Sequence, residues 1–176
     1  KLGIHAAPTC IMAFGEGEGA IGWLVGEENQ GLAHMFAMMN NERLAVGLQG
    51  VAIMERAYQQ AVGFARERIQ GRDEATGEPG APIIRHADVR RMLLTMRAKA
   101  EAGRALAYAA AAMLDTARRH PDEAVQREEA ALVEFLTPIV KAWPTDAAVE
   151  TASIGIQVHG GMGFIEETGA AQHYRD

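Results

Sequence analysis

The sequence predicts a mainly α-helical fold, an antiparallel bundle of long helices preceded by a short β-hairpin left over from a β-domain. Three observations carry this. Apolar residues recur at helical spacing through residues 32–69 and again through 89–113, the pattern of amphipathic helices. Gly- and Pro-bearing segments at 72–82 and 160–163 punctuate those stripes. The first 25 residues instead hold short apolar runs around a glycine-rich turn.

In order, Thr9-Cys10-Ile11-Met12-Ala13-Phe14 and Ala20-Ile21-Gly22-Trp23-Leu24-Val25 read as two strands. Gly15-Glu16-Gly17-Glu18-Gly19 joins them as the turn, because its glycines tolerate positive φ. Two strands alone are marginal, so they belong with others that precede Lys1. From about Gly31 the stripe Leu32, Met35, Phe36, Met39, Leu44, Val51, Tyr58, Val62, Ala65, Ile69 predicts one very long helix ending near Gly71. A second helix is expected from about Ala87 to Arg119, with Ala109–Ala112 allowing tight packing. Pro121 suits the first turn of a third, which Pro138 should kink. Thr145 can cap a fourth running to about Val158, and a fifth starts near Thr168. The methionines at 35, 38, 39, 92 and 96 are expected to fill core gaps. The chain starts at Lys1 without Met and stops at Arg175-Asp176 inside a young helix, so both ends read as truncations.

Composition narrows the function. The chain has 176 residues, 48% of them apolar, enough to bury a proper core. A net charge of -6 argues against a nucleic-acid surface, although Arg is commoner than Lys and is the better fork for a phosphate. The single cysteine, Cys10, reads as a small buried hydrophobe and fits a reducing, cytoplasmic compartment. No run is long and apolar enough to span a bilayer, and no signal peptide is visible. The six histidines form no ligand pair at helical or turn spacing, so no metal site is expected. Ser153, the only serine, lies mid-helix and is no candidate nucleophile.

Three constellations remain. Ala65-Arg66-Glu67-Arg68-Ile69-Gln70-Gly71-Arg72 gathers cations at a helix C-terminus. Dipole complementation explains most such clusters, and phosphate binding is the alternative. Gln157-Val158-His159-Gly160-Gly161-Met162-Gly163-Phe164 is either a plain helix stop or a place where backbone approaches a ligand closely. Asn40-Asn41-Glu42-Arg43 is either a solvated helix face or a site for a base, which would need Glu42 in a dry pocket.

Taken in order, these pieces resemble the acyl-CoA dehydrogenase family over nearly the whole chain. Leu24-Val25-Gly26-Glu27-Glu28-Asn29-Gln30-Gly31-Leu32 is similar to the family's entry into its C-terminal helices. Phe64-Ala65-Arg66-Glu67-Arg68-Ile69-Gln70 resembles its "YAxxRxQF" segment, Gln157 to Phe164 its "QxxGGxGF" segment, and Arg175-Asp176 its "RDA". Leu136-Thr137-Pro138-Ile139-Val140-Lys141 together with His159 to His173 looks like the longer subgroup that includes 3-methylmercaptopropionyl-CoA dehydrogenases.

The resemblance implies that residues 1–28 end a middle β-domain and residues 29–176 form the C-terminal helical bundle. It implies FAD as cofactor, an acyl-CoA substrate, α,β-dehydrogenation, an electron-transfer flavoprotein as acceptor, and a homodimer or homotetramer. Arg68 then matches the arginine on the FAD pyrophosphate of the partner subunit. Gln70 matches a second polar contact, although Gly71 stands where the motif has Phe. Gln157, Gly160 and Gly161 match the segment against the ADP portion. The catalytic base is either Glu42, next to Arg43, or a carboxylate in a "YEGT" loop beyond Asp176. An acyl-CoA oxidase, a DNA-repair-associated relative of the same fold, and a non-catalytic helical interaction module are the rival readings.

Overall fold

A computed structural model describes all residues from Lys1 to Asp176. Three long helices form the body: α1 (Gly31–Glu67), α2 (Ala87–Arg119) and α3 (Glu123–His159), followed by a short α4 (Ala170–Arg175). The chain reverses between consecutive long helices, and each long helix packs against the other two.

The α1–α3 seam is built from small residues. Gly47 and Gly50 are buried, and a Cβ at Gly50 would stand 2.6 Å from the Pro144 carbonyl oxygen, so only glycine admits this approach. Further along, Ala57, Ala61 and Ala65 of α1 meet Leu93 and Met96 of α2 and Val158 of α3 in one apolar cluster. Met54 and Met96 are wholly buried and fill the irregular gaps the alanines leave. Two ion pairs cross the seams. Glu55 takes a 2.7 Å bond from Arg104, and Lys99 pairs with Glu150. The hydrogen bond from Arg104 is the main reason the Glu55 carboxyl sits below the ordinary glutamate range.

The helix bounds correct several expectations. α2 runs over the predicted residues, but α1 stops at Glu67, four residues before Gly71. The chain then goes extended, and residues 68–73 pair antiparallel with 78–83 through Ile83 N–H to the Arg68 carbonyl, Gln70 N–H to the Ala81 carbonyl and Gly80 N–H to the Gly71 carbonyl. The predicted third and fourth helices are one helix. Asp122, rather than Pro121 or Thr145, begins it, its carboxylate accepting the Ala124 N–H at 2.8 Å. Pro138 and Pro144 lie inside α3 without ending it. Packing overrides the breaker, because Pro144 is wholly buried and the Thr145 hydroxyl donates to the Lys141 and Ala142 carbonyls instead of capping a new helix.

The predicted β-hairpin is absent from this structure. Residues 1–30 hold no strand, and Ala20 N–H to the Phe14 carbonyl is the bond that closes the glycine turn. The physical reason is that no third strand and no apolar partner are present: Trp23 is 85% exposed, and Cys10, expected to be buried, is free and exposed. Met35 and Met38 likewise face outward instead of filling a core. No helix is long and apolar enough to cross a membrane.

Candidate functional site

Two of the cavities on the bundle are lined by residues of the segments singled out above. The first, about 640 Å³, lies between the amino half of α1, the end of α2 and the start of α3, and its wall includes Phe36, Asn40, Arg43, Leu44 and Glu134. Arg43 is held there by Asn40, whose side-chain oxygen it reaches at 3.3 Å, and its guanidinium stands 5.8 Å from the centre of the Phe36 ring. Glu42 is exposed and lines neither cavity. The structure therefore separates Glu42 from Arg43, which the sequence places side by side. One helical step turns them to different faces.

The second cavity, about 600 Å³, lies at the other end of the bundle. The end of α1, the residue 68–83 ribbon and the end of α3 meet there, and Arg68, Gln70, Gln157, Gly160 and Gly161 all line it. Two sequence segments that were singled out for separate reasons thus form one wall. Arg68 and Gln70 stand two apart on an extended arm, so their side chains share a face. Arg68 is the residue at which α1 ends. Its N–H still bonds the Phe64 carbonyl at 2.9 Å, while its own φ and ψ are already extended. Its side chain makes no ion pair within the chain.

Opposite, α3 ends because Gly160 takes φ 59°, a left-handed value that an L side chain resists. The Gly160 N–H is spent on the Gln157 carbonyl. A Cβ on Gly160 or Gly161 would meet nothing within 4 Å, so these glycines open space on the cavity side. Gly163 has the opposite role, since a Cβ there would come 2.5 Å from the Ile156 carbonyl oxygen and push the turn off α3.

Among the other residues that line this cavity, the three with rings are Phe64, His86 and His159. His159 is buried, its Nδ1 lies 2.7 Å from the Gly155 carbonyl oxygen, and its ring stacks on Phe64 at a centroid distance of 4.5 Å. The carbonyl can only accept, so Nδ1 carries the proton. Phe64 and His159 fall within the two segments already noted. His86 does not, and its only signal was its position just before the second helix.

The wall contains one guanidinium, two carboxamides and an open glycine edge, and no Asp or Glu. That donor set suits an anion with several oxygens, above all a diphosphate. The cavity is open on one side. No group of three or more His, Cys, Asp or Glu could hold a metal ion.

Beside this cavity, a small latch fixes the chain after α3. The Gln60 side-chain oxygen lies 2.7 Å from His173 Nε2 while its amide donates to the Thr168 carbonyl. Arg175 grips Glu166 with two 2.7 Å bonds. Burial first, then the Arg56 charge, pushes the His173 imidazole below its ordinary value.

Residues 29–176 match the family model of the acyl-CoA dehydrogenase C-terminal domain. The chain is 56% identical over 177 residues to the 3-methylmercaptopropionyl-CoA dehydrogenase of Ruegeria pomeroyi, covering 100% of this chain and 29% of that protein. It is 37% identical over 182 residues to a butyryl-CoA dehydrogenase of Syntrophomonas wolfei, covering 100% and 30%. The fold is similar to that of butyryl-CoA dehydrogenase from Megasphaera elsdenii, with a TM-score of 0.68 at 26% identity over 85% of this chain and 34% of that one. The chain therefore spans about 30% of the length of the relatives it matches.

Proposed function

The chain belongs to the acyl-CoA dehydrogenase family, and from that premise we propose that it is the C-terminal helical domain of an FAD-dependent acyl-CoA dehydrogenase, an oxidoreductase that desaturates the α,β-bond of an acyl-CoA thioester. Residues 29–176 make up that domain, and residues 1–28 end the β-domain before it, where the exposed runs around Ile11 and Trp23 would find their partner strands. The observation that carries the reading is the meeting of Arg68, Gln70, Gln157, Gly160 and Gly161 on one acid-free wall.

FAD, when bound, accepts the hydride that leaves the β-carbon. This chain's part is to hold it. Arg68 would hold the diphosphate through charge-assisted hydrogen bonds. Gln70 and Gln157 would donate to its remaining oxygens, and the open edge at Gly160 and Gly161 would leave room for the ADP portion. The open side of the cavity suits a site completed by the neighbouring subunit of a homodimer or homotetramer. Electrons then pass to an electron-transfer flavoprotein, and the exposed thiol of Cys10 suits a cytoplasmic setting.

The α-proton goes to a carboxylate. The exposure of Glu42, outside both cavities, favours a base supplied beyond Asp176. Arg43, on the wall of the larger cavity, is then the residue of that pair that faces substrate. In the full-length protein, Glu42→Gln is expected to keep near-normal turnover. Loss of turnover with flavin still bound would move the base to Glu42.

The relatives name the substrates to try first. Anaerobic addition of 3-methylmercaptopropionyl-CoA or butyryl-CoA to the full-length flavoprotein should bleach its visible flavin bands, the former at lower concentration. A colourless protein, or flavin that neither thioester bleaches, contradicts the reading.

A further inference from the structure

The cofactor wall depends on a residue outside both of its sequence segments. We propose that His86 is a positioning residue for the diphosphate subsite, holding the Gln70-Gly71 peptide so that Arg68 and Gln70 face the Gln157–Gly161 edge. The inference rests on the FAD-binding role argued above and adds a residue to it.

Four observations lead there. His86 is itself fixed, because it joins the 3-10 turn Ile83–Arg85 to α2. Its N–H bonds the Ile83 carbonyl at 3.0 Å, and its carbonyl accepts the Arg90 N–H at 3.1 Å. From that anchor its ring crosses sixteen residues of sequence to place Nε2 2.8 Å from the Gln70 carbonyl oxygen. A carbonyl only accepts, so Nε2 is the protonated nitrogen and donates.

The ring also occupies the space a side chain at position 71 would take. A Cβ on Gly71 would stand 3.3 Å from His86 Cε1 and 3.5 Å from Nε2, and Gly71 has φ +78°. The positive φ favours glycine at 71, and the imidazole packs closely against the side where a Cβ would stand. The remaining nitrogen, Nδ1, lies 3.7 Å from a Glu74 carboxylate oxygen.

Finally, both polar groups of the Gln70 main chain are spoken for. Its N–H goes to the Ala81 carbonyl at 2.9 Å, and its carbonyl takes the His86 bond. Arg68 is pinned in the same way, by Phe64 on one side and by Ile83 N–H at 2.8 Å on the other. The main chain at 68 and at 70 is thus bonded through both of its polar groups, and the two side chains two residues apart keep one face. Removing the imidazole frees the Gln70 carbonyl and leaves a gap under Gly71. The hinge then lies between Arg68, still held by α1, and the turn that carries Gln70.

The test uses the full-length protein stripped of flavin, with the FAD dissociation constant read by quenching of flavin fluorescence. His86→Ala should weaken FAD about tenfold, which is about 1.4 kcal/mol, because the freed ribbon must be re-ordered each time the cofactor binds. His86→Gln, whose Nε2 amide can reach the same carbonyl, should restore most of the affinity. Thermal unfolding of both flavin-free variants should match wild type, because the bond orients a surface ribbon and buries no core. Equal FAD affinity in wild type and His86→Ala overturns the inference while leaving the cofactor reading intact. Equal weakening by Ala and Gln, or a drop in flavin-free melting temperature that accounts for the lost affinity, overturns it as well, by making the ring a packing element only. Wild-type protein that binds no FAD overturns both this inference and the reading beneath it.

Discussion

The two halves of α1 obey the same helical period and meet opposite fates. In the carboxyl half Gly50, Val51, Met54, Ala57, Ala61 and Ala65 are buried between α2 and α3. In the amino half Leu32, Met35, Phe36 and Met38 stay exposed, Met38 at 62%. Both halves are helical, so periodicity alone does not tell a packed stripe from an open one. Residue size does. The packed half carries small residues that let a second backbone come close, with single methionines as filler. The open half carries the larger side chains, which suit a surface contributed by something other than these three helices.

This contrast can be broken or sharpened by mutation, read as urea unfolding of the 176-residue chain followed by far-UV circular dichroism. The largest difference is expected between two methionines. Met54→Ala leaves a cavity in the core and should cost about 3 kcal/mol, whereas Met38→Ala should cost under about 0.5 kcal/mol. Equal costs would mean the amino half is packed after all. Next comes the seam itself. Gly50→Ala should destabilise by about 2 kcal/mol despite alanine's higher helix propensity, because the new methyl meets the Pro144 carbonyl oxygen. A stabilised variant would show that α1 and α3 can part at little cost.

The smallest effect tests the Glu55–Arg104 pair across α1 and α2. Both side chains are partly exposed, so Arg104→Ala should cost only about 0.5 kcal/mol at neutral pH. The Glu55 pKa is lowered in the fold, first by its hydrogen bond from Arg104. A lowered pKa means the contribution is present above the unfolded glutamate value and is lost as pH falls through the folded one. The difference between wild type and variant should therefore shrink toward zero in acid. A difference that persists in acid would assign it to packing of the arginine stem.

The α2 bounds and the existence of α1 could be read directly from apolar spacing, because their stripes are long and uninterrupted. The α3 bounds could not. Pro138, Pro144 and Thr145 are local stop signals, and the contact of Pro144 with Gly50 that overrides them is long-range. The hairpin is absent from this structure for the converse reason: its residues favour strands, yet a strand needs partners that these residues do not contain. At the candidate site, Arg68, Gln70, Gln157, Gly160 and Gly161 were legible as segments, and their meeting on one wall was not, since it depends on α1 and α3 ending side by side. His86 was invisible because its bond to Gln70 exists only once the ribbon at 68–83 has folded back. The sequence places Glu42 beside Arg43, and only the helix phase reveals that they face different ways.

The central claim is that the end of α1 and the end of α3 together hold the diphosphate of FAD. The most direct measurement is the flavin content of the full-length protein after gel filtration, wild type against Arg68→Ala, with flavin-free melting temperatures as the control. The account predicts a yellow wild type and a variant that loses most of its flavin at an unchanged flavin-free melting temperature. A variant that retains as much flavin as wild type would contradict it.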